Sequence, residues 1–148
     1  MPQKEMAWPR QPSDRQWVKP EGDDPLTLYQ MLMVSQERFG SEPCFGYIPA
    51  PGMARVHLTY DEFGGLATAT AKGLRDIGVE KGDRVAIIID NSVEWAALSY
   101  GANALGAAYT AMYTHQHGKD WAYIIADATP KVVACLLYTS PSPRDRVL

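Results

Sequence analysis

The run DRVAIIIDNSVEWAALSYGANALG, residues 83–106, decides the fold. Val85 to Ile89 is an unbroken, mostly β-branched apolar stretch without the alternation of a half-exposed strand, so it is expected to be covered on both faces, as in a parallel sheet. Asp90, Asn91 and Ser92 follow at once, with Asn91 and Glu94 at the spacing of a helix cap and its partner. From Val93 the residues Trp95, Ala96, Ala97, Leu98, Tyr100, Ala102, Ala104 and Leu105 are apolar nearly all round the helical turn, which predicts a buried helix closed by Gly106.

Downstream, Ala107 to Tyr113 reads as a second strand, Lys119 to Asp127 as a helix carrying Trp121, Ile124 and Ile125, and Lys131 to Ala134 as a third strand. Strand, helix, strand, helix, strand is the arithmetic of an open parallel sheet with right-handed crossovers. Upstream, Thr59-Tyr-Asp-Glu62 has the form of a capping box and opens a helix. Its expected buried face is Phe63, Leu66, Ala67, Thr70, Leu74 and Ile77, and Gly78 is its stop. Gly64 and Gly65 inside that helix each cost about 1 kcal/mol against alanine, which predicts a close approach of the helix to another backbone. They are not a phosphate loop, because such glycines follow a strand and open a helix.

Further upstream, Cys44 to Ile48 and Arg55 to Leu58 form two short strands joined by the turn residues Pro49 to Gly52, a hairpin. A helix from Leu26 to Phe39 precedes it, with Leu28, Met31, Leu32 and Phe39 at helical spacing and Gly40 as its stop. Residues 1–25, rich in proline and charge with Trp8 and Trp17 as their large aromatics, are expected to form an extended N-terminal arm. The fold class is therefore α/β: a partial open parallel sheet with an arm, a helix and a small hairpin, truncated from a larger domain.

Composition narrows the function. With 46% hydrophobic residues in 148, the chain is in the range of one domain with a real core. A formal net charge of -3 supplies no basic stripe for a nucleic-acid duplex or an anionic bilayer, so no nucleic-acid partner is expected. The sequence holds no signal-peptide core and no apolar run of spanning length, so a cytoplasmic location is expected, with peripheral membrane association open to the parent protein. Cys44 and Cys135 lie far apart and suggest neither a disulfide framework nor a zinc site.

Candidate chemistry is sparse. His115-Gln-His117 has the look of a metal pair but no third ligand at a recognisable spacing, so surface or packing roles are expected and no metal site is assigned. His57, in a short strand, is read the same way. Glu80, Lys81, Asp83 and Arg84 stand in a turn before a buried strand and read as a solvated, salt-linked loop. Tyr109, Met112 and Tyr113, near the end of a parallel strand, are the best local candidates for a substrate-lining wall, since ligands gather beyond strand C-termini. Core or subdomain-interface roles are the stronger expectation for them.

The ordered series Leu58-Thr-Tyr-Asp-Glu-Phe63, Gly78-Val-Glu-Lys-Gly-Asp-Arg-Val85, Asn91-Ser-Val-Glu-Trp95, Gly106-Ala-Ala108 and Trp121-Ala-Tyr-Ile-Ile125 resembles the N-terminal segment of the adenylate-forming (AMP-binding) superfamily. Met112-Tyr-Thr114 before the Trp121 helix resembles its long-chain fatty acyl-CoA synthetase branch. The resemblance, covering residues 26–134, implies a parent acid-thiol ligase of fatty-acid metabolism. Such an enzyme joins a small-molecule carboxylic acid to coenzyme A through an acyl-adenylate, with ATP and Mg²⁺. The phosphate loop and the catalytic lysine of that family would lie beyond Ala134, so no catalytic or cofactor-binding residue is assigned, and the fragment is expected to be inactive and to bind those cofactors poorly. The rest of its own domain would be its missing partner. Two other readings stay open: an amino-acid-activating domain, and a stand-alone, non-catalytic βαβ binding module.

The final stretch, CLLYTSPSPRD at 135–145, resembles a translated transposase-type sequencing-library adapter. Residues 135–148 are therefore expected to be a non-native tail.

Overall fold

A computed structural model describes residues 27–49 and 52–136. The expected N-terminal arm and all but the first two residues of the expected tail lie outside the described residues.

The first helix, α1 (Leu28–Phe39), begins at a capping box that the sequence reading passed over. The Thr27 hydroxyl accepts from the amide of Gln30 at 3.2 Å, and the Gln30 side chain accepts from the Thr27 amide at 2.8 Å. The hairpin follows as β1 (Pro43–Tyr47) and β2 (Val56–Thr59), antiparallel, with its register shifting between Pro43 and Phe45. Thr59 then caps α2 (Tyr60–Asp76), with Glu62 reaching back to the Thr59 amide at 2.8 Å, as the sequence predicts.

The buried stripe of α2 differs from the expected one. Phe63, Gly64, Ala67, Ala71 and Leu74 are buried, whereas Leu66 and Ile77 are exposed. The stripe follows i, i+4, i+8 and i+11, because α1 and α3 (Val93–Ala104) together set its direction and both favour small residues along it. The glycine prediction holds at neither position as stated. A Cβ on Gly64 would meet the side-chain amide of Gln36 on α1, not a backbone, and one on Gly65 would meet nothing within 4 Å. The close approach of two helix backbones is at Gly101 of α3, where a Cβ would lie 3.0 Å from the Ala71 amide nitrogen.

Both α2 and α3 end in the same six-residue closure. Val79 N donates to Leu74 O at 3.0 Å and Gly78 N to Arg75 O at 2.8 Å; Ala107 N donates to Ala102 O at 3.0 Å and Gly106 N to Asn103 O at 3.0 Å. The pattern requires a left-handed residue, supplied by Gly78 at φ 93° and Gly106 at φ 70°.

The parallel sheet has the order β4-β3-β5, with β3 (Arg84–Ile88) between β4 (Ala108–Ala111) and β5 (Val132–Cys135). The predicted central strand is thus in place and buried from Val85 to Ile89. The helix α3 starts one residue later than Asn91 implies: Ser92 is the cap, its hydroxyl accepting from Trp95 N at 3.2 Å. The second crossover helix is α4 (Gly118–Ala128). Val85, Ile87 and Ile89 pack with Ala102 and Leu105 of the α3 layer, which α2 covers in turn through Leu74. Ala86 and Ile88 face the other way, towards Trp121, Ile124 and Ile125 of α4. The two crossovers run in opposite directions along the sheet and place their helices on opposite faces, so they share one hand.

Candidate functional site

Because α3 leaves β3 towards one face and α4 leaves β4 towards the other, the loops after these adjacent strands diverge. The crevice between them, outside the strand C-termini, is the switch point at which open α/β sheets take up ligands. Its walls are Asp90 to Ser92 after β3 and Met112 to His117 after β4.

The second wall is held by its own side chains. The Thr114 hydroxyl donates to the Asp90 carboxylate across the crevice, joining loops 24 residues apart. The Tyr113 amide donates to the Gln116 side chain at 3.2 Å, and Trp121 Nε1 donates to the Tyr113 carbonyl at 2.9 Å. The Tyr113 ring meets the His115 ring edge-on at 5.5 Å. Nothing in the sequence signals the Asp90–Thr114 link beyond two polar residues placed just past adjacent parallel strands.

The three candidate wall residues are not brought together. Tyr109 faces the α3 layer, where its ring meets Trp95 edge-on at 5.9 Å. Met112 is only 4% exposed and packs with Ala86 and Ile88 on the α4 side. Tyr113, 66% exposed, stands at the crevice mouth. His117 occupies the cap position of α4 without a side-chain cap bond, and His57 is half-buried in the hairpin. Among the described residues no three His, Cys, Asp or Glu side chains are grouped to hold a metal ion.

The opposite end of the sheet is polar for structural reasons. Asp83 pairs with Lys131 Nζ at 2.9 Å and accepts from the Glu80 amide at 2.8 Å. The hydrogen bond to Lys131, with that from the Glu80 amide, holds the Asp83 carboxyl below its ordinary value, and the same pairing raises Lys131. Arg84 donates from Nε to the Ala128 carbonyl and from its terminal nitrogen to Thr129 Oγ1 at 2.7 Å, closing the C-terminus of α4 with a cation. These contacts make the loop salt-linked, as expected from the sequence. Elsewhere, burial pushes the Cys44 thiol up to about 11, so it is a protonated packing group beside Phe45 and Phe63 and no nucleophile at neutral pH.

The left-handed glycines Gly78, Gly82 and Gly106 all lie in helix-to-strand turns, at the end of the sheet away from the crevice. The strand-to-helix loops of the described residues contain no glycine-rich cradle for a nucleotide's phosphates. The described residues therefore form no phosphate-binding loop for ATP.

Residues 34–147 match the AMP-binding enzyme family. The chain belongs to that family. It is 39% identical over 87 residues, 59% of its own length, to the long-chain-fatty-acid–CoA ligase FadD13 of Mycobacterium tuberculosis. It is 29% identical over 109 residues, 74% of its length, to the long-chain-fatty-acid–CoA ligase ACSBG1 of Bos taurus. In three dimensions it resembles the N-terminal domain of FACL13 from Mycobacterium tuberculosis, with a TM-score of 0.66 and 31% identity over 74% of the chain and 27% of that domain. The matches span only 17% of FadD13 and 15% of ACSBG1. The family resemblance read from the ordered sequence motifs and the α/β fold class expected from the strand pattern both hold. Among the described residues, no helix is long and apolar enough to cross a membrane.

Proposed function

We propose that the chain is the N-terminal part of an ATP-dependent fatty-acid–CoA ligase and that, as it stands, it forms no acyl-adenylate. The observation that carries the reading is its 39% identity to a long-chain fatty-acid ligase over a stretch that folds as the opening βαβ layers of such a domain. In the parent, a carboxylate would attack the α-phosphate of ATP and coenzyme A would then displace AMP. The charge that develops calls for Mg²⁺, a lysine and backbone amides aimed at the phosphoryl oxygens. The fragment's own contribution is a scaffold: a buried central strand, and a crevice mouth whose Tyr113 is the remaining candidate for a substrate wall. The missing remainder of the domain would cover the half-exposed face of α4 and the outer edges of β4 and β5. A cytoplasmic parent follows the same reading.

The resemblance of CLLYTSPSPRD to a translated adapter supports a junction after Ala134, with 135–148 foreign. Cys135 and Leu136 continue the β5 ladder, Leu136 N donating to Ile88 O at 3.2 Å, but a backbone ladder asks for no particular side chain. The family match runs on to residue 147, so the genomic reading frame decides where the native sequence stops. Long-read sequencing of the locus is expected to replace CLLYTSPSPRD and to continue into a Ser/Thr/Gly-rich loop ending in lysine. ATP–pyrophosphate exchange with a long-chain fatty acid is expected from the extended protein and not from the 148-residue chain. Exchange above background by the short chain, or an extended frame without the loop, would overturn the reading.

A further inference from the structure

The backbone ladder between β3 and β4 stops before its register does. Its pairs, from Arg84 with Ala108 to Ile87 with Ala111, join residues 24 apart, and its last rung is the Met112 amide donating to the Ile87 carbonyl at 2.9 Å. Beyond that rung Asp90 and Thr114 keep the same offset of 24 through side chains, the Thr114 hydroxyl donating to the Asp90 carboxylate. At this point the two chains are due to part, because α3 and α4 lie on opposite faces of the sheet. The side-chain rung therefore holds the loops together where the crevice would otherwise open.

The residue beside the rung is fixed more firmly than its exposure calls for. Tyr113 is 66% exposed, so its ring adds little to the core. Its backbone nonetheless has both polar groups taken by side chains, the amide by Gln116 at 3.2 Å and the carbonyl by Trp121 Nε1 at 2.9 Å. On one flank Met112 is buried against Ala86 and Ile88, and on the other Thr114 is tied to Asp90. Hydrogen bonds near solvent add little net stability, and each one restricts the side chain that makes it. Side chains fixed in this way around an exposed ring serve its orientation more than its burial.

We propose that Asp90 and Thr114 are positioning residues: their hydrogen bond holds the loop 113–116 to the end of β3 and aims the Tyr113 ring at a substrate in the crevice. Both act through Tyr113 and take no part in the chemical steps. The inference rests on the ligase reading, in which Tyr113 lines that crevice.

The first test reads the loop in the 148-residue chain by amide NMR relaxation. Order parameters of about 0.85 are expected at Tyr113, Thr114 and His115, as in a rigid strand. Thr114→Val, which keeps the shape and loses the donor, and Asp90→Ala should each lower them to about 0.6 or less. The double variant should go no further than either single one, since both remove the same bond. Thr114→Ser and Asp90→Asn retain a donor and an acceptor and should keep the parent's values. Order parameters unmoved by Thr114→Val, or lowered as far by Thr114→Ser, would overturn the proposal. The second test reads function in the extended ligase. Thr114→Val is expected to raise KM about fivefold for the same substrate whose KM rises in Tyr113→Ala, without lowering kcat, and Thr114→Ser to restore it. A loss in kcat alone, or a rise in KM for a different substrate, would make the bond a structural tie and overturn its positioning role. An extended protein that forms no acyl-CoA would sink the ligase reading, and the relaxation result alone would then decide whether the rung orients the loop.

Discussion

At Gly101 a Cβ would stand 3.0 Å from the amide nitrogen of Ala71 and 2.9 Å from Cγ2 of Thr70, so the α3 backbone meets the α2 backbone there, beside Thr70, with no room to spare. A backbone cannot swing aside as a side chain can. Gly101→Ala is therefore expected to destabilise by about 1–3 kcal/mol, the usual range for overpacking a tight contact. At Gly65, on the open side of α2, nothing lies within 4 Å of the same atom. Gly65→Ala is expected to stabilise by about 1 kcal/mol through helix propensity alone. Urea unfolding midpoints of the two variants should move in opposite directions, and Gly101→Ala matching the parent would show that the helices can part. The sequence points to the wrong pair of glycines because it shows cost, which Gly64 and Gly65 share, but not which neighbour comes close. Gly101 sits among alanines in a helix expected to be buried anyway, so its close contact has no separate signal.

Element boundaries were legible where the signal was local. The Thr59 box, the Gly78 and Gly106 closures and the β-branched run of β3 are all written within six residues, and each is where the sequence places it. The cap of α3 shows the limit of such reading, since Asn91 and Ser92 are both good caps and only the backbone turn out of β3 selects between them. Ser92 has the extended backbone of a cap, φ −152° and ψ 172°, and takes the Trp95 amide. Ser92→Ala is expected to cost about 1 kcal/mol, whereas Asn91→Ala, at an exposed site outside the helix, should stay within about 0.5 kcal/mol. Chemical unfolding of the two variants checks this, and the reverse order would move the cap back to Asn91. The buried face of α2 was only half legible, for Leu66 and Ile77 satisfy the helical period as well as Ala71 does. Which stripe is buried depends on α1 and α3, which a periodicity count on α2 alone does not contain. The candidate wall residues part for a related reason: Tyr109, Met112 and Tyr113 are close in sequence, but strand alternation and the end of β4 send them to three different surroundings.

Across the whole molecule, β5 must return past β4 to pair with β3, and contacts nearly fifty residues apart hold it there. Lys131 N donates to Arg84 O at 2.8 Å at the start of the ladder, the Asp83–Lys131 pair stands beside it, and Arg84 holds the end of α4 just before the turn. The ion pair has a defined pH signature. Asp83 titrates lower in the folded chain than its ordinary 3.8, so its contribution is present above that value and fades as pH falls through the folded one. Lys131 titrates above its ordinary 10.5, so its contribution is present below 10.5 and fades as pH rises through the folded value. Between those limits the stabilisation should be flat, and added salt should reduce it, because the pair faces solvent. Asp83→Asn keeps an acceptor for the Glu80 amide while removing the charge. The parent should therefore melt above this variant at neutral pH in low salt, with the gap closing in acid, at strongly alkaline pH and in high salt. A gap that stays unchanged as the pH falls through the range in which the folded Asp83 protonates would assign the difference to the hydrogen-bonded turn and not to the charge pair at the end of the sheet.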